Sequence, residues 1–212
     1  MAKDHYGDLE KVFLCDGDAI ALKTDMLLTI LKKLYGTFPS LRHVGSYVGP
    51  QSTLSKFLEE LQTLRAAGLT KAYIGVETGD DELLKKIKKG VGYEEMLQAG
   101  RNLIAAGINL SAMVLLGLAG RGKASRRHAL ATAKICNEMK PQYLAALTVT
   151  PVPGTAVSYT HLRAHETVLD LVCRLLLEKK NPPMTLSRPF PFRLLHFPPL
   201  IPSPRLYLLL VP

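Results

Sequence analysis

Carboxylates and glycines recur where the apolar runs of this sequence end. Asp16, Gly17 and Asp18 follow the first run, Glu77 follows the third, and Gly117 follows the fourth. Glycines let a ligand approach the backbone closely, and carboxylates accept hydrogen bonds from ammonium and hydroxyl groups. The pattern therefore indicates a pocket for a small molecule with an ammonium group or hydroxyls and a flat ring. The pair Asp16-Gly17 is equally typical of a plain turn.

Five apolar runs must position these residues, and each of the first four is followed by amphipathic sequence. Their centres lie roughly 30 to 40 residues apart, which leaves room for the crossover helices that join parallel strands. The runs are continuously apolar, as expected for strands covered on both faces. The sequence thus predicts an α/β fold, either part of a (βα) barrel or an open doubly wound sheet. The predicted strand centres are Phe13, Val44, Tyr73, Met113 and Leu144.

Other polar residues in this region have simple structural interpretations. Asp80 or Asp81 is predicted to cap the short helix that follows the third strand. His128 lies on a predicted amphipathic helix, and the sequence indicates no partner for it. Lysines near the end of the short helix are predicted to form a solvated face, where cations are favoured by the helix dipole: Lys85, Lys86, Lys88 and Lys89.

The segment from Gly117 to Lys123 fits the pattern G-x-x-x-x-G-K between a predicted strand and a predicted helix. A phosphate-binding P-loop also needs Ser or Thr directly after the lysine to hold Mg²⁺. Here residue 124 is alanine, and the motif follows the fourth strand rather than the first. Nucleotide binding is therefore retained as an alternative and not as the main prediction.

The composition changes sharply near residue 156. All 16 glycines precede residue 155, whereas nine of the 14 prolines lie at or after Pro182. Residues 157–212 resemble translated sequencing-adapter DNA, and we expect them to be a non-native segment, irregular or helical and then disordered, that forms no domain. The net charge of +9 lies partly in this segment. It therefore does not argue for a nucleic-acid partner.

The cysteine content and the hydropathy of the sequence narrow the possible classes of protein further. The three cysteines, Cys15, Cys136 and Cys173, form no CxxC pair and no metal-ligand cluster. No apolar run approaches the ~18 residues that cross a bilayer, and the first residues do not resemble a secretory signal. We expect a cytoplasmic protein with no membrane partner and no metal ligands of its own.

Several segments, in this order and spacing, resemble the radical S-adenosylmethionine (SAM) superfamily, and most closely its elongator and coproporphyrinogen-oxidase branch. The resemblance covers residues 1–156. It implies a partial (βα)₆ barrel in which a CxxxCxxC loop holds a [4Fe–4S] cluster. In that superfamily the cluster cleaves SAM reductively to a 5′-deoxyadenosyl radical, and the resemblance implies flavodoxin or ferredoxin as the electron donor. The segments that carry the resemblance are 12–19, 46–47, 73–81, 89–91, 113–120 and 150–155.

The resemblance also implies roles for residues at the first two strand ends. Asp16, Gly17 and Asp18 occupy the place of the family's glycine-rich acidic motif. Their backbone, with the Asp18 carboxylate, would receive the methionyl ammonium group of SAM. Ser46, at the next strand end, would reach the methionyl or ribose portion.

Residues of the later strands complete the implied cofactor site. Glu77 corresponds to a polar position that binds the ribose or amino group. Leu116 and Gly117 match the motif whose backbone lies against adenine, although this chain has Ala-Gly where that motif often carries a carboxylate. Arg101 would pair with the methionyl carboxylate.

The chain departs from the family pattern because it contains no CxxxCxxC motif. Its first strand matches the second of the family, so we expect residues 1–156 to be a core fragment with barrel strands 2–6 and without the first βα unit. No catalytic residue and no metal ligand is assigned, and we expect no activity from this chain alone. The substrate is not predicted. The alternatives are a cluster-free (βα) barrel, a P-loop nucleotide-binding protein, or a non-catalytic binding module.

Overall fold

The computed structural model describes residues 9–15, 17–120 and 122–149, together with the backbone of residues 208–209. Asp16 and the segment 150–155 lie outside the described residues. The same holds for the predicted non-native segment 157–212, apart from that short stretch of backbone. The division of the chain at residue 156 therefore stays a prediction.

All five predicted strands are confirmed, and they form one sheet. Strands β1 to β5 pair in parallel with their neighbours, and a short β6 pairs antiparallel with β1. The order across the sheet is β5-β4-β3-β2-β1-β6. The strands are β1 (Lys11–Leu14), β2 (His43–Val48), β3 (Leu69–Glu77), β4 (Asn109–Leu116), β5 (Tyr143–Thr148) and β6 (Leu208–Leu209).

The strand order distinguishes between the two predicted architectures. A doubly wound sheet reverses its strand order at a switch point, whereas β1 to β5 follow the chain order without reversal. Right-handed crossovers then place the connecting helices on one face of the sheet. The described residues therefore form part of a (βα) barrel.

Six α-helices lie between β1 and β5 in the part of the chain that the structure describes. Leu54 and Leu64 are spaced as on one helical face, but the chain leaves the helical path between them. It restarts where the Glu60 carboxylate accepts a hydrogen bond from the Phe57 backbone N–H at 2.9 Å. The helices are α1 (Thr24–Thr37), α2 (Pro50–Leu54), α3 (Leu58–Ala66), α4 (Asp81–Lys86), α5 (Tyr93–Ala105) and α6 (Lys123–Met139).

The two faces of the sheet differ in burial. On the helix-covered face, side chains such as Ile74 and Val76 are fully buried in the main core. The opposite face, here called the inner face, carries three half-buried aromatic rings in edge-to-face contact. Phe13 lies 4.9 Å from Tyr47 and 5.2 Å from Tyr73 between ring centroids. Among the described residues, no helix is long and apolar enough to cross a membrane.

Candidate functional site

The carboxyl-terminal rim consists of the turns that follow strands β1 to β5, and its most unusual backbone is at Glu77. This residue has φ 61°. The Thr78 N–H donates to the Val76 carbonyl at 2.7 Å, which closes a γ-turn around Glu77. A γ-turn with positive φ at its centre is rare and strained. The pairing of β3 with β4 also shifts register between Gly75 and Glu77.

The turn brings the Glu77 carboxylate back over Gly75, where it meets Lys89. Lys89 Nζ lies 3.0 Å from Glu77 Oε1, and each side chain is 21% exposed. A Cβ on Gly75 would overlap Glu77 Oε1 and lie 3.1 Å from Lys89 Nζ. Gly75 is therefore what makes room for the ion pair. Within the described part of the chain, Glu77 Oε2 has no partner.

The prediction for the lysines near α4 holds for three of the four. Lys85, Lys86 and Lys88 are exposed, as predicted for a solvated face. For Lys89 the prediction is wrong, because its side chain is only 21% exposed and pairs with Glu77. The chain turns at Lys88 (φ 55°), and the Lys89 ammonium group then lies against the Glu77 carboxylate.

Behind the strained turn lies a buried hydrogen-bonded network centred on His128. Thr78, His128 and Thr132 are each at most 2% exposed. His128 Nε2 lies 3.0 Å from the Leu115 carbonyl, which can only accept, so Nε2 carries the proton. Nδ1 is then an acceptor, and it receives the Thr78 hydroxyl at 2.7 Å. Burial lowers the pKa of His128, which favours this neutral form.

Hydrogen bonds from the same network and from a helix cap also fix the residues that follow Glu77, from Thr78 to Asp80. The Thr78 hydroxyl oxygen accepts from the Asp80 N–H at 3.0 Å, and the Thr132 hydroxyl oxygen accepts from the Gly79 N–H at 3.1 Å. Asp80 caps α4 by accepting from the Glu82 N–H at 3.0 Å, which confirms the predicted cap.

Asp18 connects the ends of β1 and β2. One carboxylate oxygen accepts from the Gly49 N–H at 2.9 Å and the other from the Ser52 hydroxyl at 2.5 Å. Beside Ser52, the Gln51 side-chain amide donates to the Gly90 carbonyl at 2.9 Å, and Gly90 follows Lys89. A continuous set of contacts therefore runs along the rim from Asp18 to Glu77.

Three other predicted residues belong to the same rim. Gly17 has φ 66°, and a Cβ added to it would have no atom within 4 Å. Leu116 is buried, and its carbonyl accepts from the Val149 N–H at 3.0 Å. Gly117 has φ 80°, and its carbonyl accepts from the Gly120 N–H at 3.0 Å, so a tight turn begins where β4 ends.

Two predicted site residues are not brought to the rim. Ser46 is 2% exposed on the helix-covered face, and its hydroxyl lies 2.8 Å from the Tyr47 carbonyl. Arg101 is exposed on α5, where one guanidinium nitrogen lies 3.4 Å from the carbonyl of Glu138, one residue before α6 ends. Because these helices run opposite to the strands, the end of α6 lies away from the rim.

Parallel strands in chain order, helices on one face and polar groups at the carboxyl ends define a (βα)-barrel protein. The family model of the Radical SAM superfamily matches residues 1–133. The chain therefore belongs to the radical SAM superfamily. A search of curated proteins found no match.

Solved structures show the same fold at low sequence identity. Coproporphyrinogen III oxidase (HemN) from Escherichia coli, a radical SAM enzyme, aligns with a TM-score of 0.63 at 15% identity, covering 80% of this chain and 39% of that one. Elp3 of Methanocaldococcus infernus aligns with a TM-score of 0.61 at 14% identity, covering 85% and 48%. HydG, a maturase of the [FeFe]-hydrogenase, aligns at 0.58 and 16%, covering 80% and 39%. The chain thus spans less than half the length of these structures.

The superfamily uses SAM and a [4Fe–4S] cluster, and the residues of this chain do not fit the cluster. The sequence holds three cysteines without the CxxxCxxC spacing. Cys136 is buried, and burial raises the pKa of its thiol to about 12, which is typical of a packing residue rather than a reactive thiolate. Within the described residues, no group of three His, Cys, Asp or Glu side chains is arranged to hold a metal ion.

The rim has groups that suit SAM, although the chain lacks ligands for the cluster. Glu77 presents an acceptor oxygen beside the inner face, and hydroxyl and ammonium groups are its natural donors. Gly17 leaves open space beside its backbone, and Gly117 begins a turn at the same edge of the sheet. A carboxylate with glycine turns is compatible with a cationic ligand that has a ribose and a flat ring.

Proposed function

We propose that residues 9–149 supply the SAM-binding side of a radical SAM enzyme. The observation that carries this proposal is Glu77, a half-buried carboxylate held in a strained turn at the end of β3. Strain of this kind costs about 1–3 kcal/mol and is concentrated at functional sites. Glu77 Oε1 is occupied by Lys89, and Oε2 would accept from the ribose or amino group of SAM.

The other rim residues have supporting roles in this proposal. Asp18 uses both oxygens to hold the end of β2, so it orders the loop in which the Gly17 backbone would meet the methionyl ammonium group. The backbone at Leu116 and Gly117 would lie against adenine. Ser46 and Arg101 are left out of the proposed site because their side chains are engaged elsewhere.

The superfamily's chemistry is the reductive cleavage of SAM, and no thiolate set for its cluster is present among the 212 residues. We therefore expect this chain by itself to bind SAM without cleaving it. A flavodoxin or ferredoxin would serve as electron donor to the enzyme in which this barrel works. Its substrate is not assigned.

Equilibrium dialysis of the full chain against labelled SAM tests the proposal. We expect saturable binding that Glu77→Gln weakens about tenfold, since a hydrogen bond to a charged group contributes about 1.5–3 kcal/mol. Glu59→Gln is the matched control, because Glu59 is an exposed helix residue outside the proposed site. Equal affinities for the two variants would contradict the role of Glu77.

A binding test with Mg²⁺-ATP distinguishes the proposed SAM site from a nucleotide site at Gly117 to Lys123. We expect Mg²⁺-ATP not to bind there, because residue 124 is alanine and the P-loop needs a hydroxyl at that position. Binding of Mg²⁺-ATP that Lys123→Ala abolishes, with no binding of SAM, would contradict the proposed function and support the nucleotide alternative.

A further inference from the structure

The turn that presents Glu77 has a positive φ at its centre, and the residues that follow it are hydrogen-bonded behind it. The Thr78 hydroxyl bonds to His128 of α6, which in turn bonds to the Leu115 carbonyl of β4. Gly79 bonds to Thr132 of α6, and Asp80 bonds to the Thr78 hydroxyl. We propose that Thr78, His128 and Thr132 are positioning residues for Glu77. This inference rests on the proposed function for its ligand, and the backbone geometry of Glu77 can be measured without that ligand.

The turn at Glu77 needs support from the surrounding structure. An L-residue in the left-handed region costs about 1–2 kcal/mol, and such backbone persists where the surrounding structure over-determines it. At Glu77 the next three residues supply that support. Each makes a hydrogen bond within the buried network or the helix cap, and Thr78 makes two through its hydroxyl.

The side chains of Thr78, His128 and Thr132 are polar although they are buried, where proteins usually place apolar side chains. Burying a hydroxyl or an imidazole costs free energy unless its hydrogen bonds are satisfied. Here both ring nitrogens of His128 are bonded, and the Thr78 hydroxyl both donates and accepts. A fully satisfied network specifies one geometry, and the geometry it specifies is that of the turn.

The network and the Glu77 carboxylate lie on opposite sides of the sheet. Thr78 and His128 are at most 1% exposed on the helix-covered side, whereas the Glu77 carboxylate lies over Gly75 on the inner face. The three network side chains therefore cannot contact a ligand on the inner face. They can affect its binding only by fixing the position of Glu77. Gly79 keeps the loop against α6, since a Cβ there would overlap the Ala131 carbonyl.

Matched threonine variants test the proposal in the full chain. Thr78→Val removes the hydroxyl that bonds His128, and Thr78→Ser retains it. Thr70→Val is the control, because Thr70 is likewise a buried threonine, and its hydroxyl donates to the Val44 carbonyl at 3.1 Å. Thr70 lies at the opposite end of the strand from Glu77.

Two measurements are made on each variant. The first is the one-bond Cα–Hα coupling of Glu77 by NMR, which distinguishes positive from negative φ and needs no ligand. The second is the dissociation constant for SAM by equilibrium dialysis. We expect Thr78→Val to change the coupling and weaken SAM binding about 3- to 10-fold, the equivalent of one neutral hydrogen bond. Thr78→Ser and Thr70→Val are expected to resemble the wild type in both.

The outcomes separate this inference from the proposed function. If Thr78→Val leaves the Glu77 coupling unchanged, or lowers SAM affinity no more than Thr70→Val does, Thr78 is an ordinary core residue and the inference is overturned. If the wild-type chain does not bind SAM, the proposed function fails. In that case the Cα–Hα coupling of Glu77 still shows whether the network fixes the φ angle of Glu77.

Discussion

Replacing Glu77 with glycine and with alanine measures the strain in the γ-turn. Both variants lose the ion pair with Lys89, so that contribution cancels between them. Alanine keeps a Cβ at φ 61°, which costs about 1–2 kcal/mol. Glycine avoids that cost but loses about 0.5–1 kcal/mol through its greater freedom in the unfolded chain. We therefore expect Glu77→Gly to be more stable than Glu77→Ala by about 1 kcal/mol.

The same pair of substitutions at Glu59 provides the control. Glu59 is exposed in the first turn of α3, where backbone strain is absent and glycine is the less stable residue by about 0.5–1 kcal/mol. The measurement is the free energy of unfolding of the full chain in urea. The order of glycine and alanine should therefore invert between the two positions. If alanine is the more stable residue at position 77 as well, the backbone there is not strained.

Two further predictions concern the loop behind Glu77. Gly79→Ala should destabilise the fold by about 1–3 kcal/mol or more, because the new Cβ would overlap the backbone carbonyl of Ala131; a melting temperature equal to that of the wild type would contradict this packing. The stability of the chain should also depend on the protonation of His128, whose pKa is lowered chiefly by burial. As the pH falls, the imidazole is protonated in the unfolded chain at a higher pH than in the folded protein. The stabilisation from neutral His128 is therefore complete above the unfolded pKa of about 6.5, and it is lost as the pH falls from there through the lower folded pKa. The difference in unfolding free energy between wild type and His128→Gln should shrink over that range, and a constant difference would argue against a neutral buried imidazole.

The strands could be predicted from the sequence because their signal is local. Each is a short apolar run bounded by polar residues or glycine, and the observed β2, His43–Val48, contains its predicted centre, Val44. The choice between a barrel and a doubly wound sheet could not be made from periodicity, because both architectures repeat the same βα unit. The order of the strands, a long-range property, decides it.

The position of Glu77 at a strand end could be predicted, but its partners could not. Lys89 stands in a run of lysines that looks like a solvated face. Only the turn at Lys88, whose φ is 55°, separates it from Lys85 and Lys86. The indication that was present is Gly75, since a glycine inside a strand often marks close approach by another group.

His128 shows a second limit of sequence reasoning. An isolated histidine on an amphipathic helix has no visible partner, because Thr78 lies 50 residues away in the chain. Thr132, one helical turn later, is on the same side of α6 and was the available local signal. The direction of the Ser46 side chain was also not predicted: it is buried on the helix-covered face of β2.

An NMR titration of the full chain with SAM would show whether the carboxyl-terminal rim of β1 to β4 binds this cofactor. We expect saturable shifts in the backbone amides of Gly17, Asp18, Glu77 and Gly117, with Lys11 and Asn109 at the opposite ends of their strands unaffected. Shifts confined to those opposite ends, or no saturable shift at any SAM concentration, would mean that the rim is not the SAM site.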